Sequence, residues 1–90
     1  MCRNIKTLYN FAPPATDVEV RASALQFVRK LSGFNRPSRA NEVAFERAID
    51  QVTGAARELL DSLITQAQPR DRDVEAAKAR ERAKTRYGAR

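Results

Sequence analysis

Cys2 is the only cysteine of the chain, and it directly follows the initiator methionine. Removal of Met1, which is common when the second residue is small, would leave a free α-amine beside the Cys2 thiol. An α-amine with a pKa of about 7.7–8.0 can accept the thiol proton, and Arg3 would favour the thiolate. An N-terminal cysteine nucleophile or a redox-active thiol is therefore one hypothesis. The simpler hypothesis is a small residue, packed under the helices or exposed, with no chemical role.

A second set of candidate residues is the group of cations near the end of the sequence. Residues 70–90 contain eight basic and four acidic residues, so they carry +4 of the net charge of +6. Lys78, Arg82 and Arg86 are spaced by four, which places them on one face of a helix where they could contact successive phosphates. Tyr87 is the one aromatic residue nearby, so stacking on nucleic-acid bases is not indicated. The alternative is a solvated helix with local ion pairs.

A third candidate surface is the loop expected after the first helix, residues 33–39. One aromatic side chain, Phe34, is surrounded there by four cations, which are Arg29, Lys30, Arg36 and Arg39. A basic rim around an aromatic residue suits contact with a protein or an anion. The alternative is that Phe34 folds back onto the helices.

The residue types that most catalytic and metal sites use are scarce, because the chain has no histidine and one cysteine. This removes the commonest general base and the commonest metal ligand, and it allows no intramolecular disulfide. Glu42, Glu46 and Asp50 share one helix face, but beside Arg47 a solvated face is expected rather than a metal site. We therefore predict a protein that is not an enzyme and holds no metal ion or cofactor.

The elements that must position these residues are helical. Thr16-Asp17-Val18-Glu19 is a capping box that follows Pro13-Pro14 and marks a helix start. Gly33 provides a C-terminal stop. Between these signals apolar residues recur at helical spacing, and they are Val20, Ala24, Phe27, Val28 and Leu31. The sequence therefore predicts a helix at 17–31, preceded by an N-terminal segment, 1–16, that follows no helical or strand period.

A longer helix is predicted at 39–67, between a cap at Ser38 and a stop at Pro69. Its apolar stripe is spaced by threes and fours and consists of Phe45, Ala48, Ile49, Val52, Ala56, Leu59, Leu60 and Leu63. Two amphipathic helices joined by a short loop should pack antiparallel. Residues 71–87 are rich in alanine and charge, which predicts a basic C-terminal helix with a weak apolar stripe.

Length and composition predict a single all-α domain, 1–90, with a small core. The sequence has no apolar run long enough to span a membrane and no apolar region typical of a secretory signal. The single cysteine fits a reducing compartment. We therefore expect a cytoplasmic protein that makes no contact with a membrane.

Five segments of the sequence together indicate a family. They cover nearly the whole chain and are Met1-Cys2-Arg3-Asn4-Ile5-Lys6, Pro13-Pro14-Ala15-Thr16, Leu25-Gln26-Phe27-Val28-Arg29-Lys30, Ala44-Phe45-Glu46-Arg47-Ala48 and Pro69-Arg70-Asp71-Arg72. With these segments the chain resembles domain-of-unknown-function family 2277, a family of small bacterial proteins. That family has no assigned activity, so the resemblance implies context and no particular chemistry.

The order of the predicted helices also resembles a J-domain, the co-chaperone module that activates heat-shock ATPase chaperones. By this resemblance Ile5–Tyr9 would form a short first helix, Asp17 would open the second, and residues 82–88 would form the closing basic segment. The His-Pro-Asp motif of that family would fall on Ser32-Gly33-Phe34, where none of its residues is present. The resemblance therefore implies a J-domain-like topology without stimulation of the chaperone ATPase.

The sequence thus favours an all-α interaction module that binds another protein through its helix faces or its basic loop. Nucleic-acid binding by the C-terminal helix and chemistry at Cys2 are the alternatives. The identity of the partner and the oligomeric state are left open by the sequence.

Overall fold

The computed structural model describes the backbone of residues 5–88 and the side chains of residues 5–85. Its three helices are α1 (Asp17–Ser32), α2 (Glu42–Ser62) and α3 (Arg72–Gly88), and a single 3-10 turn, Arg39–Asn41, precedes α2. Two strands of two residues each, β1 (Phe11–Ala12) and β2 (Arg70–Asp71), complete the regular structure of this part of the chain. The all-α fold class is confirmed.

Helix α1 begins and ends with the signals that its sequence contains. The Glu19 backbone N–H donates to the Thr16 hydroxyl at 3.2 Å, and the Thr16 N–H donates to a Glu19 carboxylate oxygen at 2.9 Å. This reciprocal capping box satisfies two amides that the first turn leaves without helical partners. At the other end Gly33 adopts φ 79°, and its N–H donates to the Arg29 carbonyl at 2.8 Å. Glycine adopts this left-handed conformation without a steric penalty.

Helices α1 and α2 pack antiparallel, as the sequence predicts. Residues near the start of α1 lie beside residues along the middle and end of α2, since Asp17 contacts Arg57 and Arg21 contacts Asp50. The buried core of the described residues is small, and its members are Val20, Ala24, Val28, Phe45 and Ile49. Every one of these residues belongs to the helical stripes of the two helices.

The prediction that the second helix extends over 39–67 is wrong at both ends. The 3-10 turn occupies 39–41, and α2 ends at Ser62, after which Leu63 is extended with ψ 142°. Because Asp17, the first residue of α1, already lies beside Arg57, α1 offers little surface for a continuation of α2 to pack against. Thr65 accepts a hydrogen bond from the Ala67 N–H, a local turn that replaces helical bonding.

The short first helix predicted at Ile5–Tyr9 is absent, because these residues are not helical. The N-terminal segment instead pairs with the chain that follows α2, through a parallel β1–β2 contact that aligns Phe11 with Arg70. Asn10, directly before β1, has φ 61°, which a helix does not allow. The first helix that the J-domain resemblance implies is therefore not formed.

Helix α3 makes few contacts with the helix pair. Its alanine stripe, Ala76, Ala79 and Ala83, is exposed to solvent over the residues whose side chains are described. The weak apolar character that the sequence predicts for this helix explains why it does not dock on α1 or α2. None of the helices in the described part of the chain combines the length and the apolar character that a membrane span requires.

Candidate functional site

One edge of the contact between α1 and α2 is closed by Arg21. This guanidinium donates to Glu46 at 2.9 Å and to Asp50 at 2.5 Å, and the Asp50 hydrogen bond is the main cause of the raised Arg21 pKa. Two of the three carboxylates considered as metal ligands in the sequence thus bind an arginine. Residues 5–88 contain no cluster of three side chains suited to a metal ion.

Arg57 extends the same edge toward the start of α1. It donates to Asp61 at 2.8 Å, to Asp17 at 3.4 Å and to the Ala15 carbonyl at 3.3 Å. The Asp61 hydrogen bond is the main cause of the raised Arg57 pKa. One cation therefore joins the end of α2 to the residues that enter α1. We call the contacts of Arg21 and Arg57 the ion-paired edge.

The opposite edge of the same helix pair is an open apolar groove of about 290 Å³. It is lined by residues of α1, of α2 and of the N-terminal segment, which are Ile5, Lys6, Leu8, Val20, Ser23, Ala24, Phe27, Val52, Ala56, Leu59 and Leu60. Lys6 is the single charged residue among these. Although Phe27 and Leu59 belong to the predicted apolar stripes, they remain 44% and 56% exposed. We call this surface the apolar groove.

Helical geometry explains why the two edges differ. Successive residues of an α-helix are rotated by about 100°, so Arg21 and Ser23 project to opposite sides of the line where α1 contacts α2. On α2 the same rule separates Asp50 from Leu59. Because the helices run antiparallel, the charged positions of both lie on one side and the apolar positions on the other.

A second concave surface lies between the N-terminal segment and α3, with a volume of about 620 Å³. Five cations and three carboxylates line it together with apolar residues, and the charged members are Lys6, Arg70, Arg72, Arg80, Arg82, Glu19, Asp73 and Glu75. We call this surface the charged cleft. It joins the start of α1 to one face of α3, and its cations outnumber its anions.

Two contacts hold the wall of the charged cleft. Arg72 at the start of α3 donates to the Glu19 carboxylate, and both side chains are partly exposed. The pKa of Glu19 is lowered, first by the hydrogen bond from the Thr16 backbone N–H and then by Arg72. Arg70 lies 5.5 Å from the centroid of the Phe11 ring, a cation–π distance.

Asn10 anchors the N-terminal segment that separates the apolar groove from the charged cleft. Its side-chain amide donates to the Gln68 carbonyl at 3.2 Å and to the Ala67 carbonyl at 3.4 Å. Its own carbonyl accepts a hydrogen bond from the Arg70 N–H at 2.8 Å. Asparagine tolerates the left-handed conformation better than most residues, so it suits this position.

The three basic residues predicted to bind phosphates do not act as one group in the structure. Arg82 lines the charged cleft, whereas Lys78 lies outside it and donates to Glu75 at 3.4 Å. The side chain of Arg86 lies outside the described residues, as do Cys2 and Arg3. Nothing in the described part of the chain therefore bears on the hypothesis of a Cys2 nucleophile.

The basic loop predicted as an interaction surface lies at the end of the helix pair where α1 ends and α2 begins. Arg29 donates to the Asn35 carbonyl at 3.1 Å, and Phe34 is 47% exposed. The remaining cations of that set, Lys30, Arg36 and Arg39, are exposed. The loop is thus separate from both the apolar groove and the charged cleft, and its role as an interaction surface stays a prediction.

Sequence reasoning missed Asn10, the Arg72–Glu19 pair and the exposed side of the apolar stripe. The segment Pro69-Arg70-Asp71-Arg72, which contributes to the family resemblance, was the available signal for the charged cleft. No comparable signal marks Asn10, because its partners lie 57 and 58 residues away along the chain.

No curated protein and no solved structure matches the chain. A family model described as "Uncharacterized conserved protein (DUF2277)" matches residues 1–78, which confirms the family that the five sequence segments predict. The chain belongs to the DUF2277 family.

Proposed function

We propose that this DUF2277 protein is a non-enzymatic interaction module that binds a protein partner through the apolar groove. The observation that carries the proposal is the open apolar edge of the helix pair. Phe27 and Leu59 stay about half exposed there, while only five residues of the described chain are buried.

The composition of the apolar groove supports binding of a protein surface. The centres of protein interfaces are poor in charged residues and rich in aromatic and aliphatic anchors. The groove combines one aromatic side chain, Phe27, with aliphatic residues of both helices and one charged residue, Lys6. Contiguous apolar surface of this kind typically marks an interaction site on a small domain.

A pair of arginine substitutions on α2 tests this proposal. Leu59→Arg places a charge in the groove, whereas Val43→Arg places one on a 71% exposed position outside it. Tagged wild type and both variants are used to capture partners from an extract of the native cell, with circular dichroism as the control for folding. We expect the same partners with wild type and Val43→Arg, and their loss with Leu59→Arg. Capture that is unchanged by Leu59→Arg would contradict the proposal.

A second candidate function, nucleic-acid binding, is favoured by the charged cleft. Lys6, Arg80 and Arg82 line this cleft and form no ion pair with another described residue. Guanidinium and ammonium groups that converge in this way can bind phosphate groups. The acidic residues Asp73 and Glu75 in the same cleft reduce its positive potential.

Binding to labelled duplex and single-stranded oligonucleotides, at low and at high salt, tests the second candidate. We expect affinity that falls steeply with salt and falls further when Arg80 and Arg82 are both changed to glutamate. A variant with Arg36 and Arg39 both changed to glutamate, on the basic loop, is the matched control for the change in net charge. If wild type binds neither form of nucleic acid at low salt, this candidate is wrong.

A further inference from the structure

We infer that the partner bound in the apolar groove is an acidic amphipathic helix, which places an apolar face in the groove and carboxylates against the cations beside it. This inference rests on the proposed interaction function of the groove and names the chemistry of the partner. It joins two features that the structure places side by side, an open apolar surface and a neighbouring excess of positive charge.

The apolar groove is continuous with the charged cleft. Lys6 and Leu8 line both surfaces, so a short part of the N-terminal segment forms their common wall. The cleft adds Arg80 and Arg82, and neither these arginines nor Lys6 form an ion pair with another described residue. A partner in the groove therefore lies beside cations that the described part of the chain does not neutralise.

The carboxylates of the charged cleft leave this excess in place. Glu19 binds Arg72, and Glu75 binds Lys78, so each of these two carboxylates already has a cation. Asp73 is the remaining acidic residue that lines the cleft. One carboxylate therefore faces three cations that have no partner among the described residues.

A further cation lies on the α1 side of the apolar groove. Ser23 and Phe27 line the groove, and Lys30 follows Phe27 by one helical turn, so the three residues share a face of α1. Lys30 is exposed and forms no ion pair with the described residues. None of the described residues that line the groove is acidic. An acidic partner would therefore meet cations along the groove without opposing carboxylates.

The shape of the apolar groove fits a helix. The groove lies between two antiparallel helices, and a third helix laid along such a pair forms a bundle with it. From Val52 to Leu60 the groove extends about 12 Å along α2, or a little over two helical turns. A short partner helix with apolar residues spaced by threes and fours would cover it.

The combination of apolar surface and cations favours this partner over other occupants. A nucleic acid would bind the cations but leave Phe27 and Leu59 uncovered, because its backbone is charged throughout. A second copy of the chain carries +6 and would bring more positive charge to the same cations. An acidic amphipathic helix covers the apolar residues and pairs the cations at the same time.

Fluorescence anisotropy with the full chain and two labelled synthetic peptides tests the inference. The first peptide is an amphipathic helix with leucines on one face and glutamates on both sides of them. The second has lysine in place of every glutamate. We expect the glutamate peptide to bind at least about tenfold more tightly than the lysine peptide, and added salt to weaken its binding.

Two pairs of variants separate the apolar contribution from the charged one. Leu59→Gln should weaken binding of the glutamate peptide at least about tenfold, while Val43→Gln, outside the groove, should leave it unchanged. Lys6→Glu should weaken it about threefold or more, and Arg47→Glu, the matched change of charge outside the groove, should have a smaller effect. Circular dichroism shows which variants fold.

Three results would overturn the inference. One is a wild-type chain that does not bind the glutamate peptide at any concentration, and another is equal binding of the two peptides. The third is binding of the glutamate peptide that Lys6→Glu weakens while Leu59→Gln leaves it unchanged. If the two peptides bind equally but capture of a partner from the native extract still depends on Leu59, the proposed interaction function stands and only the acidic partner is excluded.

Discussion

The two edges of the α1–α2 pair arise from the same helical geometry but differ in whether their side chains are already paired within the chain. On the ion-paired edge Arg21 and Arg57 each bind two carboxylates, so the polar groups satisfy one another within the chain. On the apolar groove the side chains of Phe27 and Leu59 have no comparable cover. An edge whose groups are already paired has little left to offer a partner, whereas an open apolar edge retains free energy that binding can release.

The largest expected effect is on the free energy of unfolding, which should fall more when a core residue is truncated than when a groove residue is truncated. Ile49→Ala should lower the free energy of unfolding by about 2–5 kcal/mol, because Ile49 is buried and its removal leaves a cavity. Leu59→Ala should cost less than about 1 kcal/mol in the monomer, since this side chain is already half exposed. Urea unfolding followed by circular dichroism at low protein concentration measures both. Equal losses of unfolding free energy would show that Leu59 packs like a core residue, which would contradict the difference between core and groove.

A smaller effect is expected at Asn10, which holds the segment that walls the apolar groove. Asn10→Ala removes two side-chain hydrogen bonds and places a less tolerant residue at φ 61°, so we expect a loss of about 1–2 kcal/mol. Asn10→Gly is the matched control, because glycine keeps the left-handed conformation and lacks the amide. Hydrogen exchange of the Arg70 amide reports the contact directly. Protection that is the same in all three proteins would contradict this role.

The ion-paired edge should contribute less than the core. Arg21→Ala should destabilise the chain by less than Ile49→Ala does, and added salt should reduce the difference from wild type, because the pair is exposed. Arg47→Ala is the control, since Arg47 forms no ion pair with the described residues. Unfolding at low and high salt tests this prediction. A loss as large as that of Ile49→Ala would mean that charge, and not apolar packing, holds the helices together.

The smallest expected effect is a pH dependence at Glu19, which joins α1 to Arg72 in the charged cleft. Its pKa is lowered in the folded chain by the Thr16 N–H and by Arg72. The ionised form therefore stabilises the fold above the ordinary glutamate pKa, and this contribution is lost as the pH falls through the lowered value. Glu19→Gln should flatten the decline in stability at acidic pH. If stability falls equally at acidic pH in Glu19→Gln and in wild type, Glu19 is not the cause of that fall.

Local signals predicted the parts of the fold that depend on neighbouring residues. The capping box of Thr16 and Glu19, the stop at Gly33 and the stripes of both helices all act within a few residues, so the pattern alone identified them. The five members of the core all lie on the predicted stripes. Periodicity indicates which face of a helix is apolar, but not how much of that face the other helix covers. The exposure of Phe27 and Leu59 could therefore not be predicted from the stripes.

The errors arose where distant parts of the chain decide the structure. Asn10 is held by partners at residues 67 and 68, directly after the stretch Ile5–Tyr9 where the sequence predicted a helix. The end of α2 at Ser62 depends on where α1 begins in space. The segment Pro69-Arg70-Asp71-Arg72 marked the charged cleft only by its charge. Periodicity could not reveal the Arg72–Glu19 pair, because its two residues lie 53 positions apart along the chain.

Methyl resonances of valine and leucine residues test the central claim that the apolar groove is the binding edge of this protein. Spectra of the full chain are recorded before and after addition of a partner that wild type captures and Leu59→Arg does not. The account predicts that Val52, Leu59 and Leu60, which line the groove, shift together while Val18 and Val43 do not. Shifts confined to Val18 and Val43, with the groove methyl groups unchanged, would contradict it.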